Sequence, residues 1–288
     1  MIATKSEPRK LPKPSDGKPW ALDDLPPFPM VATRIVQMLS HTEVDISEVG
    51  RMIAAEPVFA SRVLQMANSP LFALERQVRT ISHAIILLGL RRVKAITMTR
   101  ALGDFIAPAM KVQALHVCWQ NSLAGAILSE RLARACKMDA DFAYVAGLLR
   151  DIGRLALLVK YPIPYSNLLA VSQENGFDLM TTERDLFDVD HCQAGAWLMS
   201  QMSFPQDLCE VVAHHHEPPA EDEPLRMVHV VRIADLVAES LGLAVLAPIN
   251  QTSFEEVLQQ LPEHARGRFG QDPEQLKAEI DARIQTWE

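Results

Sequence analysis

Apolar residues recur at helical spacing along most of this chain, and no convincing alternating strand interrupts them, so the expected fold class is all-α. Val31, Ile35, Val36 and Leu39 keep that spacing, and Phe59, Val63 and Met66 line a later helix. Asp45 and Glu48 read as a capping box, opening a helix that turns Val49, Met52 and Ile53 inward until Glu56-Pro57 interrupts it. Asn68-Ser69-Pro70 reads as a structural turn, with a partner-contact loop reaching Phe72 as the rival reading. Ser82 is placed to cap Ala84 to Leu88, and Gly89 to stop it. A long helix is expected from Val112 to Cys136, with Leu115, Trp119, Leu123 and Ile127 on its apolar face. Asp139 caps a helix that continues towards Lys160, and Pro162 and Pro164 break the chain. Further helices are expected at Tyr165 to Asn175, His191 to Met202, Gln206 to His214 and Leu225 to Leu241. Ser253 and Glu256 make another capping box, and Asp272-Pro273 starts a closing helix with Leu276, Ile280 and Ile284 in register.

With 288 residues, 48% of them hydrophobic, the chain can bury a substantial core. Its net charge of −8 argues against a nucleic-acid surface, which needs clustered Lys and Arg. Cys118, Cys136, Cys192 and Cys209 form no CxxC pair and no zinc spacing, which suits a reducing cytoplasm. Residues 1–19 read as a flexible tail, rich in Pro, Lys and Ser and without the apolar core of a signal peptide. The best apolar run, Ala84 to Leu90, stops at Arg91-Arg92, well short of the ~20 residues a membrane span needs. The expectation is therefore a soluble cytoplasmic protein with neither a nucleic-acid nor a membrane partner.

Acidic and histidine residues gather in the second half: Asp151, Asp188, Asp190, His191, His214, His215, His216 and Asp235. Presented from several helices of a bundle, such side chains can converge on a metal. Plainer roles are also open. Asp190 can cap the helix beginning near His191, the three histidines can sit favourably at a helix C-terminus, and Asp235 can face solvent. No P-loop, GxGxxG or GxSxG motif competes.

An ordered set of short motifs resembles HDOD domains over about residues 22 to 240. The set runs Leu25-Pro26-Pro27-Phe28-Pro29, Glu56-Pro57, Ala67-Asn68-Ser69-Pro70, Ala84-Ile85 with Leu88-Gly89, and Trp119-Gln120-Asn121-Ser122. It continues with Gly147-Leu148-Leu149-Arg150-Asp151-Ile152-Gly153, His191 with Gly195, and His215-His216-Glu217-Pro218. HDOD domains are similar to the HD phosphohydrolases, including the HD-GYP enzymes, in which a helix-borne His, a His-Asp pair, further histidines and a late Asp hold metals. Carried over by position, the first His falls on Asn121 and the His-Asp pair on Arg150-Asp151. The later histidines fall on His191, His215 and His216, and the late Asp on Asp235. No GYP motif follows Glu217.

The resemblance thus implies a multi-helix HD-like bundle with an N-terminal helical subdomain. The domain would span 20–246, divided into 20–110 and 111–246, with helices in 247–288 packed on it. It also implies a vestigial pocket of Asn121, Arg150, Asp151, His191, His215, His216 and Asp235. Asn is a poor ligand beside imidazole, and Arg150 stays charged, so no metal, cofactor or catalytic residue is expected. An inward Arg150 would pair with Asp235, or with Asp188, rather than with its chain neighbour Asp151. The implied function is a non-catalytic signalling or interaction module contacting a protein of a signalling pathway, with homodimerisation open. The alternatives are a phosphohydrolase with a reduced site, and an anion or nucleotide binder using Arg150 and the histidines.

Overall fold

In the computed structural model, the described residues are 20–22, 28, 33–34, 46–69, 76–220, 222–248, 252–269 and 272–287. They are helical with no strand among them, as the spacing of apolar residues requires. The expected tail, the Val31 to Leu39 segment apart from Thr33 and Arg34, the Asp45 cap, Pro70 and Phe72 lie outside the described residues.

The axis of the fold is α5 (Gln113–Ala135), which buries Leu115, Trp119, Leu123 and Ile127 as its spacing predicts. Ala124, Ala126 and Ala133 are also enclosed, so this helix is covered on more than one side. The packed neighbour α6 (Ala140–Leu149) runs beside it, and α12 (Met227–Ser240) crosses it. Asp139 caps α6 by accepting from the Asp141 and Phe142 amides.

The helix begun at Asp139 does not continue to Lys160. It ends at Leu149, and α7 (Ile152–Lys160) begins after a break at Arg150-Asp151. Next come α8 (Pro162–Asn175) and α9 (Leu179–Phe187), the second of which the spacing of apolar residues does not predict. Asp178 caps α9 through the Thr181 amide. Then follow α10 (His191–Gln201) and α11 (Gln206–His214). Helices α7 and α10 cross at Gly153 and Gly195: a Cβ on Gly153 would lie 2.0 Å from the His191 carbonyl oxygen, so only glycine permits this approach.

The N-terminal helices are α1 (Ile46–Ala54), α2 (Pro57–Ala67), α3 (Ile81–Leu88) and α4 (Leu90–Ile106). Thr80, not Ser82, caps α3, because the helix starts two residues earlier than its apolar pattern suggests. The Asn68 turn is structural: its side chain donates to the Leu64 and Val78 carbonyls and accepts from the Val78 amide. On the α4–α6 contact, the Thr99 and Tyr144 hydroxyls lie 2.9 Å apart. At the C-terminus, α13 (Phe254–Leu258) packs on α12, while α14 (Glu263–Phe269) and α15 (Pro273–Gln285) pack on α5. Leu276, Ile280 and Ile284 are buried there, within the same apolar core as the axis.

Candidate functional site

The break between α6 and α7 builds the centre of the site. Two residues leave the helical register there, and both side chains turn inward: Arg150 has no exposed surface and Asp151 is buried. Asn121 faces them from the middle of α5 and Asp235 from α12. His191 opens α10, and His215 and His216 follow the last turn of α11. The fold therefore brings all seven residues of the expected pocket to one place.

Arg150 fills the middle of it. Its Nη2 donates to Asn121 Oδ1 at 2.5 Å and to Asp235 Oδ1 at 2.8 Å, and its Nη1 donates to the Gly147 carbonyl at 2.8 Å. Its Nε lies 3.3 Å from Asp151 Oδ2. Asn121 is oriented for this role, because its amide nitrogen donates to the Leu243 carbonyl at 2.9 Å, leaving Oδ1 for the guanidinium. Space for the guanidinium comes from Gly125: a Cβ at that position would stand 1.9 Å from Arg150 Nη1. The expected pairing with Asp235 holds. Asp151 is also in reach, because the helix breaks between α6 and α7 and the two neighbours no longer diverge as they would on a continuous helix.

A second arginine shares the load. Arg154 is buried one turn into α7, with Nη1 3.4 Å from Asp151 Oδ1. Burial alone would raise the Asp151 carboxyl, but Arg154, Arg150 and His215 hold it well below the usual carboxylate range. Behind His191 stands Glu183 of α9, fully buried, accepting the His191 amide at 2.8 Å and facing His191 Nδ1 at 2.7 Å. The Tyr165 hydroxyl also donates to Glu183. Against burial, His191, Arg154 and Tyr165 keep the Glu183 carboxyl below its ordinary value.

His191 Nδ1 donates to Glu183, and its Nε2 lies 3.1 Å from Arg154 Nη2. Against burial and Arg154, Cys192 and Glu183 hold His191 well above the usual imidazole value. His216 Nε2 lies 3.0 Å from His191 Nε2. His216 is exposed at the rim of the pocket, yet the crowding around its ring and the charges of His215 and His191 push it well below the usual imidazole value. His215 goes the other way. Burial opposes its charge, yet Cys192 and Asp151 raise it to about 9. Its Nδ1 faces the Val212 carbonyl at 3.0 Å, and its Nε2 lies 3.7 Å from Asp151 Oδ1. His215 adds a cation to a cluster in which Asp151, Asp235 and Glu183 face the two guanidinium groups of Arg150 and Arg154.

The metal centre implied by the resemblance does not fit these residues. Asn121 and Arg150 replace two ligands, and the Arg150 side chain lies among the others. His191, Cys192, His215 and His216 do bring their ligand atoms within 4.8 Å of one another, a donor set suited to a soft divalent cation. There, however, the Arg154 guanidinium stands 3.1 Å from His191 Nε2, so a cation already faces that donor atom.

The other singled-out residues lie outside the pocket. His214 pairs with Glu217 at 3.0 Å, and Asp190 caps α10 and pairs with Arg184 at 2.6 Å. Asp188 accepts from Trp20 Nε1 at 2.8 Å and is not a partner of Arg150. Sequence reasoning missed Arg154, Glu183, Cys192 and Gly125. Arg154 carried a readable signal, standing three positions beyond Asp151 at helical spacing. Glu183 carried none, since its helix was itself unexpected.

The HDOD domain family model matches residues 25–218. A solved HDOD domain protein of unknown function from Geobacter sulfurreducens is similar with a TM-score of 0.69 and 26% identity, covering 92% of this chain and 91% of that one. A structure from Shewanella amazonensis SB2B, described as a proposed phosphohydrolase, shares the fold with a TM-score of 0.67 and 20% identity over 92% of this chain and 93% of that one. An uncharacterized protein of Treponema pallidum (strain Nichols) is 21% identical over 239 residues. That match takes in 82% of this chain and 45% of the relative, so the chain spans less than half of the curated protein it resembles. With its helical bundle, its ordered motifs and a match over most of its length, the chain belongs to the HDOD domain family.

Proposed function

We propose that this chain is a non-catalytic signal-transduction or regulatory interaction module that acts through contacts with a protein partner. One observation carries this reading: the Arg150 guanidinium lies where the His-Asp pair of an HD enzyme would present a metal ligand, bonded to Asn121, Gly147 and Asp235. A fixed cation there repels a divalent ion and satisfies the carboxylates the ion would have needed. Every hydrogen bond of this guanidinium goes to the protein, and none of its surface is exposed, so it is not offered to an anionic ligand either. The fold alone assigns no chemistry, because one architecture serves many functions.

The second reading, a phosphohydrolase working with one metal, draws on the proximity of His191, Cys192, His215 and His216. Elemental analysis separates the two. Purified, dialysed protein is expected to carry no stoichiometric metal and to hydrolyse no cyclic dinucleotide. The double variant Asn121→His with Arg150→His is expected to gain metal affinity. Near one equivalent of iron, manganese or zinc, retained through dialysis and lost in His191→Ala, would overturn the proposal in favour of the phosphohydrolase.

A further inference from the structure

Where α3 ends and α4 begins, a cavity of about 430 Å³ opens, lined by residues with no part in the HD-like pocket. The turn between the two helices is made by Gly89 with φ +84°, a conformation that favours glycine. A Cβ there would meet nothing within 4 Å, so the space beside the turn is open. No side chain caps α4, and no acidic residue occupies its first turn. The partial positive charge at the start of this 17-residue helix is thus not offset within the helix's own first turn.

An independent observation points to a ligand. Lys94 lines the same cavity and is only 7% exposed, with no hydrogen bond or ion pair to another described residue. Burial pulls its ammonium down from the ordinary lysine value, and Asp141 and Asp139 pull it part of the way back. The enclosed stem carries the ammonium to the cavity wall, where an anion entering the cavity can reach it and gain more than it would in open water. Around it stand Arg91, Arg92 and Arg134, four cations in all against the two carboxylates Glu130 and Asp141. Those carboxylates are already engaged, Asp141 by Arg91 at 3.0 Å and Glu130 by Arg134 at 2.5 Å. This local excess of positive charge belongs to a chain whose net charge is −8. The remaining wall is apolar, made by Leu88, Leu90, Val145 and Tyr144, whose hydroxyl is turned to Thr99.

We propose that this cavity binds a phosphorylated small molecule of nucleotide size, with the phosphate on Lys94 and the first turn of α4 and the body against the apolar wall. Helix N-termini with flanking cations suit a phosphate, and the volume lies within the ~300–1,000 Å³ of small-molecule sites. The inference does not rest on the state of the Arg150 pocket.

Calorimetric titration of the full chain with pyrophosphate and with ADP, using adenosine as the phosphate-free control, tests it. Both phosphates are expected to bind saturably, more weakly at high salt, and adenosine is not. Losing one charged partner, in Lys94→Gln or in Arg134→Gln, is expected to weaken ADP binding about tenfold or more. Lys111→Gln, on the surface elsewhere, is expected to leave it unchanged. Arg134 is largely exposed, so its variant keeps the test sharp even if Lys94→Gln folds poorly. No saturable binding of either phosphate at millimolar concentration overturns the proposal, as does undiminished affinity in Arg134→Gln. Binding of pyrophosphate with exclusion of ADP overturns the nucleotide-sized ligand.

Discussion

Arg150 stands at the centre of the pocket, bonded to Asn121, Gly147 and Asp235. Its guanidinium needs the missing Cβ of Gly125, which would stand 1.9 Å from Nη1. Gly125→Ala is therefore expected to cost roughly 1–3 kcal/mol in urea unfolding as an overpacked core substitution. The cost should shrink in an Arg150→Ala background, because the clash is gone. Additive effects in that cycle would show that the two residues do not compete for space. Arg150→Ala alone leaves Asp151 and Asp235 short of a buried counter-charge, a loss on the order of 3–5 kcal/mol. The titrating residues give a pH test with opposite signs at the two ends. Asp151 is depressed, so its contribution is present above about pH 4, the unfolded value, and is lost as pH falls through the folded one. His215 is raised to about 9, so its contribution is full below about pH 6.5 and is lost as pH climbs towards 9. Cys192, lowered against burial to about 7 by His191 and His215, titrates with the opposite sign over that alkaline range, so the acid limb carries the test. Urea midpoints should fall as pH drops through about 4, and an unchanged midpoint from about pH 6 to about pH 3 would rule out a paired Asp151 carboxylate. Of this chemistry, the departures at Asn121 and Arg150 were legible in the sequence because they stand inside recognisable motifs. The Glu183–His191 contact was not, since it joins residues eight positions apart on two different helices.

At the scale of elements, the phase of α5 was readable because four apolar residues repeat at four-residue intervals on one face. Trp119 is 3% exposed on that face, so Trp119→Ala is expected to cost ~3–5 kcal/mol. A loss below about 1 kcal/mol would mean that the indole is not enclosed. The break at Arg150-Asp151 was not readable. Leu148, Leu149, Ile152 and Leu155 continue the helical spacing across it, and no Pro or Gly marks the two residues where the helix gives way. The start of α3 at Thr80 was missed for a related reason. Both Thr80 and Ser82 are good caps, and only the geometry of the His83 amide chooses between them.

For the whole molecule, the docking of α14 and α15 on α5 makes the C-terminal segment part of the core that holds the site's axis. A chain cut after Leu246 would uncover the α5 surface that Leu276, Ile280 and Ile284 now help to close. It is expected to melt several degrees lower than the full chain, with early loss of the near-ultraviolet signal of the buried Trp119. An unchanged melting temperature would mark that segment as an independent appendage. Among the described residues, no helix is long and apolar enough to cross a membrane. The position of Arg150 carries one more consequence. A fold centred on a bound metal answers to supply: it can be starved, poisoned by a competing ion, or emptied by a chelator. On the proposed reading, a cation that arrives with the polypeptide has no free concentration and no off-rate, and the centre of this bundle would be complete as soon as the chain has folded.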